Sequence, residues 1–102
     1  MRRMSATQLA VLQAVADGVC YGFDVIDRTG LPSGTVYPAL SRLERDGYLR
    51  SSWEAETAAF AAGRPARRYY RVTAAGARAL RDAVSAYHAL LPLAPARVRG
   101  RS

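Results

Sequence analysis

An amphipathic helix is predicted by the stretch Ser33-Gly34-Thr35-Val36-Tyr37-Pro38-Ala39-Leu40-Ser41-Arg42-Leu43-Glu44-Arg45-Asp46. Val36, Leu40 and Leu43 are spaced four and three residues apart and therefore form one buried stripe. Ser33 is predicted to cap the helix, and Gly47 ends it. Thr35, Ser41, Arg42 and Arg45 are left to face elsewhere, and such small polar groups and long donors are typical of a helix that contacts DNA.

Two shorter helices are predicted upstream. Ser5 and Gln8 form a capping box at the start of the first helix. The second helix runs from Tyr21 to Thr29 and ends at Gly30, a position that favours a left-handed residue. Only about four residues, Gly among them, separate it from the third helix, which is typical of a helix-turn-helix. The inward face of the first helix is predicted to comprise Leu9, Leu12, Val15 and Ala16.

A β-hairpin is predicted after the third helix. Residues 48–54 alternate, with Leu49, Ser51 and Trp53 on one side, and residues 67–72 have a similar two-residue rhythm. The connection, residues 55–66, contains Gly and Pro and reads as a long loop. Its segment 57–62 is apolar but small, and could equally form one loose helical turn.

The last helix has the spacing of a packing seam. Thr73 is predicted to cap it, and positions 77, 80, 84, 87 and 91 are separated by three, four, three and four residues. We expect a second copy of the chain to pack against this seam, although a single apolar face can also be covered by its own domain. The predicted dimer interface comprises Leu80, Val84, Tyr87 and Leu91.

Charge is concentrated in a few places along the chain. The sequence has 15 Arg, no Lys and 8 acidic residues, a net charge of +7. Nine of the arginines lie at the two termini or in residues 64–71, and the other six face eight acids. Such a localised positive field suits phosphate binding better than general solubility.

The order of elements is that of a winged helix-turn-helix: three helices, a hairpin and a long helix, mainly α. A chain of 102 residues has room for one compact domain. Half of its residues are hydrophobic, but twenty of these are alanine, so burial against a second copy would complete a thin core. We expect the domain to span residues 5–92, with a dimerisation helix at 74–91, and residues 93–102 to form a basic disordered tail.

Two blocks of sequence, together covering most of residues 5–92, resemble the PadR family of regulators. The first comprises Tyr21-Gly22-Phe23-Asp24, residues 33–44 and Gly47-Tyr48-Leu49; the second runs from Gly63 to Gly76, including Arg67-Arg68-Tyr69-Tyr70-Arg71-Val72-Thr73. The resemblance implies a dimeric transcriptional regulator, usually a repressor, released from its operator by a small molecule or another signal. It also implies the short subfamily, which lacks an extra C-terminal helical domain.

The predicted DNA contacts lie on the third helix and the hairpin. Arg42 could read guanine, or contact phosphate or an acid instead; Tyr37 could donate to a phosphate, as the resemblance suggests, or pack on the second helix. The hairpin arginines could follow the backbone or enter the minor groove, or form a solvated turn. Two such helices related by a two-fold axis predict a palindromic operator in double-stranded DNA. The predicted DNA-binding set is Ser33, Thr35, Tyr37, Ser41, Arg42, Arg64, Arg67 and Arg68.

A small aromatic effector is a further hypothesis. Trp53 and Tyr87 could sandwich a planar ligand, although ordinary packing explains both residues as well. A lone cysteine, Cys20, excludes an intrachain disulfide and favours a cytoplasmic setting. The sequence has no apolar run long enough for a bilayer span, so no membrane partner is expected.

Other functions fit the composition less well. One His and one Cys supply neither a nucleophile set nor metal-ligand spacing, so we expect no enzyme, cofactor or metal. A winged-helix module for protein contacts would tend not to keep a basic wing. Nonspecific nucleic-acid binding stays an alternative, whereas RNA binding would rest on the weak Tyr69-Tyr70 pair alone.

Overall fold

The helix-turn-helix is built on backbone caps. In the computed structural model, which describes residues 4–90, α1 spans Ala6–Ala16, α2 spans Gly22–Thr29 and α3 spans Ser33–Arg45. The predicted capping box is present, because Ser5 Oγ accepts the Gln8 N–H and Gln8 Oε1 accepts the Ser5 N–H. Gly30 ends α2 with φ 74°, in the left-handed conformation that its position predicts.

The predicted cap of α3 at Ser33 is wrong by one residue. Pro32 is the N-cap residue and Ser33 is already helical, with no capping hydrogen bond from a side chain. The Pro32 carbonyl accepts the N–H groups of Thr35 and Val36 at 2.9 and 3.0 Å. Since the proline ring holds φ near −69°, the backbone itself sets the entry into α3.

The hairpin, which is the wing of the winged helix, consists of β1 (Leu49–Trp53) and β2 (Arg68–Val72). The strands pair antiparallel, with Leu49 opposite Val72. A short helix, α4 (Glu56–Ala61), lies between the strands. Of the two alternatives for residues 57–62, the helical turn is confirmed and the open loop is not. An isolated bridge between Tyr21 and Tyr69 continues the pairing on the far side of β2.

The core lies between α1, α3 and the inner face of the hairpin. The stripe predicted on α3 is buried, and Ala39 joins it. On α1 the predicted Leu12 and Val15 are buried, Leu9 is partly buried and Ala16 is exposed. Val11 and Ala14 are buried as well, because α1 packs against several elements and not one. Trp53 is exposed although it lies on the same side of β1 as the buried Leu49, because the core covers only the near end of β1.

The long helix α5 spans Ala74–Leu90. Thr73 caps it as predicted, since its Oγ1 accepts the Gly76 N–H at 3.0 Å, and the same hydroxyl donates to the Gly47 carbonyl. Gly76 is buried against Tyr48, where a Cβ would overlap the Tyr48 carbonyl oxygen. The start of α5 is therefore fixed on the turn between α3 and β1. The predicted seam residue Leu91 and the predicted tail 93–102 lie outside the described residues.

Candidate nucleic-acid interface

The outer face of α3 presents the polar side chains that the sequence singled out. Burial of Val36, Leu40 and Leu43 fixes the rotation of the helix, and the opposite side faces solvent. A shallow groove also joins this face to the first turn of α1, lined by Ser5, Thr7, Gln8, Thr35, Pro38, Ala39 and Arg42. The α1 residues of this groove were not among the predicted contacts, because only the packing of α1 on α3 brings them there. Of the predicted set on α3, Ser33, Tyr37, Ser41 and Arg42 are exposed and Thr35 is partly buried.

Arg42 has no ion-pair or hydrogen-bond partner for its side chain among residues 4–90. The predicted alternative of a salt bridge to an acid is therefore not formed in the described part of the chain. An exposed guanidinium on this face is free to bind a base edge or a phosphate.

Tyr37 packs on the second helix, one of the two roles that the sequence left open; the phosphate contact stays a prediction. Its ring lies against Gly22, because a Cβ on Gly22 would be only 2.5 Å from Tyr37 Cε1. The side chain is nevertheless 44% exposed. The close approach at Gly22 thus holds the ring between α2 and α3 while part of it stays accessible on the outer face.

The hairpin arginines are tied to acids and aromatic rings, which the sequence did not predict. Arg64 binds Glu54 with both terminal nitrogens, at 2.5 and 2.9 Å. The Arg67 backbone N–H also donates to Glu54 Oε1 at 3.3 Å. The Arg64 hydrogen bond, followed by this backbone bond, lowers the pKa of Glu54 from 4.5 to about 2. Glu54 therefore stays ionised and holds the hairpin tip together.

Arg67 is stacked rather than extended into solvent. Its guanidinium carbon lies 3.7 Å from the centroid of the Tyr21 ring, well within cation–π range. Tyr21 in turn meets Tyr69 edge to face, with the ring centroids 6.2 Å apart. Arg67 thus connects the hairpin to the start of α2.

Arg68 lies on a different side of the hairpin. Its Nε donates to Ser51 Oγ at 2.9 Å, and Ser51 Oγ donates to Glu44 Oε2 at 2.6 Å. Arg68 Nη2 is also 3.6 Å from Glu44 Oε1. Because Glu44 belongs to α3, this chain of hydrogen bonds attaches Arg68 to the predicted recognition helix.

Strand pairing places two further arginines next to each other on the hairpin. Arg50 and Arg71 face each other across the hairpin, and both are exposed. Like charges in directly opposite positions disfavour strand pairing. Neither arginine forms an ion pair with an acid within residues 4–90, so the two add positive charge to the wing. The two residues lie 21 positions apart in sequence, and no local pattern would have associated them.

The predicted dimer face is divided. Leu80 packs against the core of its own chain, whereas Val84 and Tyr87 are 40% and 62% exposed. Leu90, one turn beyond Tyr87, is 61% exposed as well and was not predicted. The end of α5 therefore presents an apolar surface that the described part of the chain leaves uncovered.

The two residues suggested for an effector lie against different partners. Trp53 lies beside Arg68 on the hairpin, and Tyr87 lies beside His88 on α5. Both rings are largely exposed. A shared effector site stays a prediction that depends on a second copy of the chain.

Comparison with known families agrees with this architecture. The model of the transcriptional regulator PadR-like family matches residues 11–82, from α1 through most of α5. The chain belongs to the PadR-like family. The resemblance inferred from residues 21–24, 33–44 and 63–76 is thereby confirmed. No curated protein sequence matches the chain.

Solved structures of regulators share the fold. A PadR family transcription regulator from Clostridium difficile R20291 superposes with a TM-score of 0.77 at 20% identity, covering 87% of this chain and 94% of that one. Bacillus subtilis PadR in complex with operator DNA superposes with a TM-score of 0.67 at 17% identity, covering 78% of this chain and 47% of that one. The PcaV transcriptional regulator from Streptomyces coelicolor, in complex with its natural ligand, superposes with a TM-score of 0.65 at 28% identity. The match covers 91% of this chain and 65% of that one. The PadR-like winged-helix fold predicted for this chain is confirmed, and the family consists of transcriptional regulators.

No helix within residues 4–90 is both long enough and apolar enough to cross a membrane.

Proposed function

We propose that this PadR-like chain is a homodimeric, sequence-specific DNA-binding repressor. The observation that carries the proposal is the outer face of α3, where Arg42 is exposed and unpaired among the described residues beside exposed Ser33, Tyr37 and Ser41. A helix with these groups can place donors at base edges in the major groove. The structure of Bacillus subtilis PadR with operator DNA shows that a protein of this fold binds an operator.

Charge supports the same proposal. The hairpin carries five arginines, of which Arg68 is joined to Glu44 of α3, while Glu44 and Glu54 neutralise only part of this charge. The five are Arg50, Arg64, Arg67, Arg68 and Arg71. Each phosphate contacted by an arginine releases counterions from the DNA. If a dimer contacts about six to ten phosphates, its affinity falls by roughly 10³ to 10⁵ between about 50 and 200 mM salt.

A dimer is supported by the uncovered end of α5. Val84, Tyr87 and Leu90 expose apolar surface that a second copy would bury about a two-fold axis. Two α3 helices related by that axis would bind half-sites about one helical turn apart, so the operator would be palindromic.

Release by a small aromatic effector is the final part of the proposal. The PcaV neighbour binds its natural ligand; for the present chain, the exposed aromatic ring of Tyr87 is a candidate contact. An effector of this kind would lower the affinity for the operator without competing at α3.

The proposal is tested by capturing genomic DNA fragments with purified protein and sequencing them at two salt concentrations. We expect one palindromic site to be enriched, and the enrichment to fall at the higher salt concentration. Arg42→Ala should lose the enriched site. Arg81→Ala removes the same charge from the exposed side of α5 and serves as the matched control.

Other outcomes would contradict the proposal. Salt-sensitive binding without an enriched motif would indicate a nonspecific nucleic-acid binder. No binding by the folded protein would instead favour a winged-helix module for protein contacts.

A further inference from the structure

Trp53, the only tryptophan in the sequence, is 64% exposed at the last position of β1. A tryptophan that only supports a fold usually buries most of its large indole. The core ends short of this residue, so packing within residues 4–90 does not account for its position. The exposed indole therefore indicates a surface that binds something outside the chain.

The register of the hairpin shows which way Trp53 faces. Trp53 is opposite Arg68, and two residues along each strand Ser51 is opposite the buried Tyr70. Positions two apart on a strand share a face, so Trp53 lies on the same side as Ser51. Since Ser51 donates to Glu44 of α3, this side of the wing is continuous with the last turns of the recognition helix.

Arg68 completes a two-part surface with the indole. Its guanidinium carbon lies 5.7 Å from the centroid of the Trp53 ring, and its Nε donates to Ser51. The side chain remains 46% exposed although Glu44 lies 3.6 Å away. A flat apolar ring and a half-open guanidinium thus lie side by side, which is the complement of a deoxyribose next to its phosphate.

The other two predicted wing arginines are held differently. Arg64 has both terminal nitrogens on Glu54, and Arg67 is stacked on Tyr21 at the opposite edge of β2. Of the three, Arg68 is the one joined to α3 through hydrogen bonds. We therefore separate Arg68, which faces the recognition helix, from Arg64 and Arg67, which fix the hairpin tip.

We propose that Trp53 and Arg68 form one contact to the DNA backbone, beside the groove that α3 enters. The indole packs on a deoxyribose while the Arg68 guanidinium binds the adjoining phosphate. This inference rests on the proposed DNA-binding function and assigns Trp53 to DNA instead of an effector. It also makes Glu44 and Ser51 positioning residues for Arg68.

The test uses the intrinsic fluorescence of the full chain, because all tryptophan emission comes from Trp53. The protein is titrated with a duplex of mixed sequence at low ionic strength, and with any site enriched by the genomic selection. We expect DNA to shift Trp53 emission and to protect it from acrylamide quenching. Binding of the same duplexes carrying a fluorescent label is measured in parallel by anisotropy.

Variants separate the two halves of the contact. Trp53→Ala should weaken binding about tenfold, in the range of a lost aromatic packing contact on a nucleotide, and leave the salt dependence unchanged. Trp53→Phe should restore most of the affinity. Arg68→Ala should reduce the slope of log K against log salt by about 0.9, the effect of one phosphate contact. Arg28→Ala, an exposed arginine paired with Asp17, is the charge-matched control and should bind like the wild type.

The outcomes distinguish this inference from the proposed function. If the wild type binds DNA and Arg42→Ala does not, while Trp53→Ala binds normally and emission is unchanged, the Trp53 contact is wrong and the DNA-binding function stands. Emission that responds to planar aromatic compounds but not to DNA would also overturn it, in favour of an effector site. If the wild type binds no duplex, both proposals fail. Circular dichroism checks the fold of each variant, and acrylamide quenching of the wild type decides the question even if Trp53→Ala unfolds.

Discussion

Glu54 and Arg64 form a two-point ion pair at the base of the hairpin tip, with Arg64 Nη1 2.5 Å from Oε1 and Nη2 2.9 Å from Oε2. The Glu54 side chain is only 14% exposed, and it also accepts the Arg67 backbone N–H. One carboxylate therefore organises residues on both sides of α4. Ionisation of this one side chain therefore contributes to holding the hairpin tip in place.

The pH dependence of stability should reflect this carboxylate. Its pKa is lowered from 4.5 to about 2 by the Arg64 hydrogen bond and the Arg67 backbone bond. The contribution of Glu54 to folding is therefore complete above pH 4.5 and is lost as the pH falls from 4.5 toward 2. Urea denaturation midpoints measured across this range should fall more steeply for the wild type than for Glu54→Gln. Glu56→Gln, an exposed carboxylate in the same segment, is the control and should keep the wild-type slope.

Gly22→Ala tests the contact that positions Tyr37. The added Cβ would lie 2.5 Å from Tyr37 Cε1, so the ring must move away from α2. We expect a loss of about 1–3 kcal/mol in the free energy of unfolding, as for an overpacked contact. The double variant Gly22→Ala, Tyr37→Ala should lose less than the sum of the two single variants, because without the ring the added methyl group has space. Additive losses in urea denaturation would contradict this account.

Gly76→Ala should be more damaging. A Cβ at this position would overlap the backbone oxygen of Tyr48, which cannot rotate away as a side chain can. We expect a loss of about 3 kcal/mol, at the upper end for overpacking, measured by thermal or urea unfolding. Gly34→Ala is the matched control: it is also a helical glycine, but a Cβ added there would have no neighbouring atom within 4 Å. That variant should be neutral or gain up to about 1 kcal/mol.

Tyr87→Glu tests the proposed dimer. Tyr87 is 62% exposed on the uncovered end of α5 and should be buried by a second copy. A carboxylate buried there without a partner is costly, so we expect the dimer Kd to rise about 100-fold, equivalent to about 2.7 kcal/mol. Sedimentation velocity over a range of protein concentrations measures this. Ser85→Glu introduces the same charge on α5 outside the predicted seam and should leave the dimer intact.

Local sequence determined the secondary structure of the helix-turn-helix. The capping box at Ser5, the left-handed Gly30 and the stripe of Val36, Leu40 and Leu43 each act over a few residues, and all are confirmed. The predicted cap at Ser33 was wrong because Pro32, the neighbouring residue, sets the backbone direction first. Such errors of one residue are expected where two capping devices compete.

The family, too, followed from the sequence, because the motifs in residues 21–76 are local and their order and spacing can be read directly from the chain. The contact partners of the wing arginines did not follow from the sequence. Arg64, Arg67 and Arg68 look equivalent in a basic stretch, yet the folded chain gives each a different partner: Glu54, Tyr21 and Glu44.

Only the tertiary structure decided those partners, because they lie ten or more residues away along the chain and are brought close by strand pairing. The same holds for Trp53, which shares a side of β1 with the buried Leu49 but lies beyond the limit of the core. Short-range periodicity specifies which side of an element can be buried. How far burial extends, and which charges meet, depends on the packing of elements that are distant in sequence.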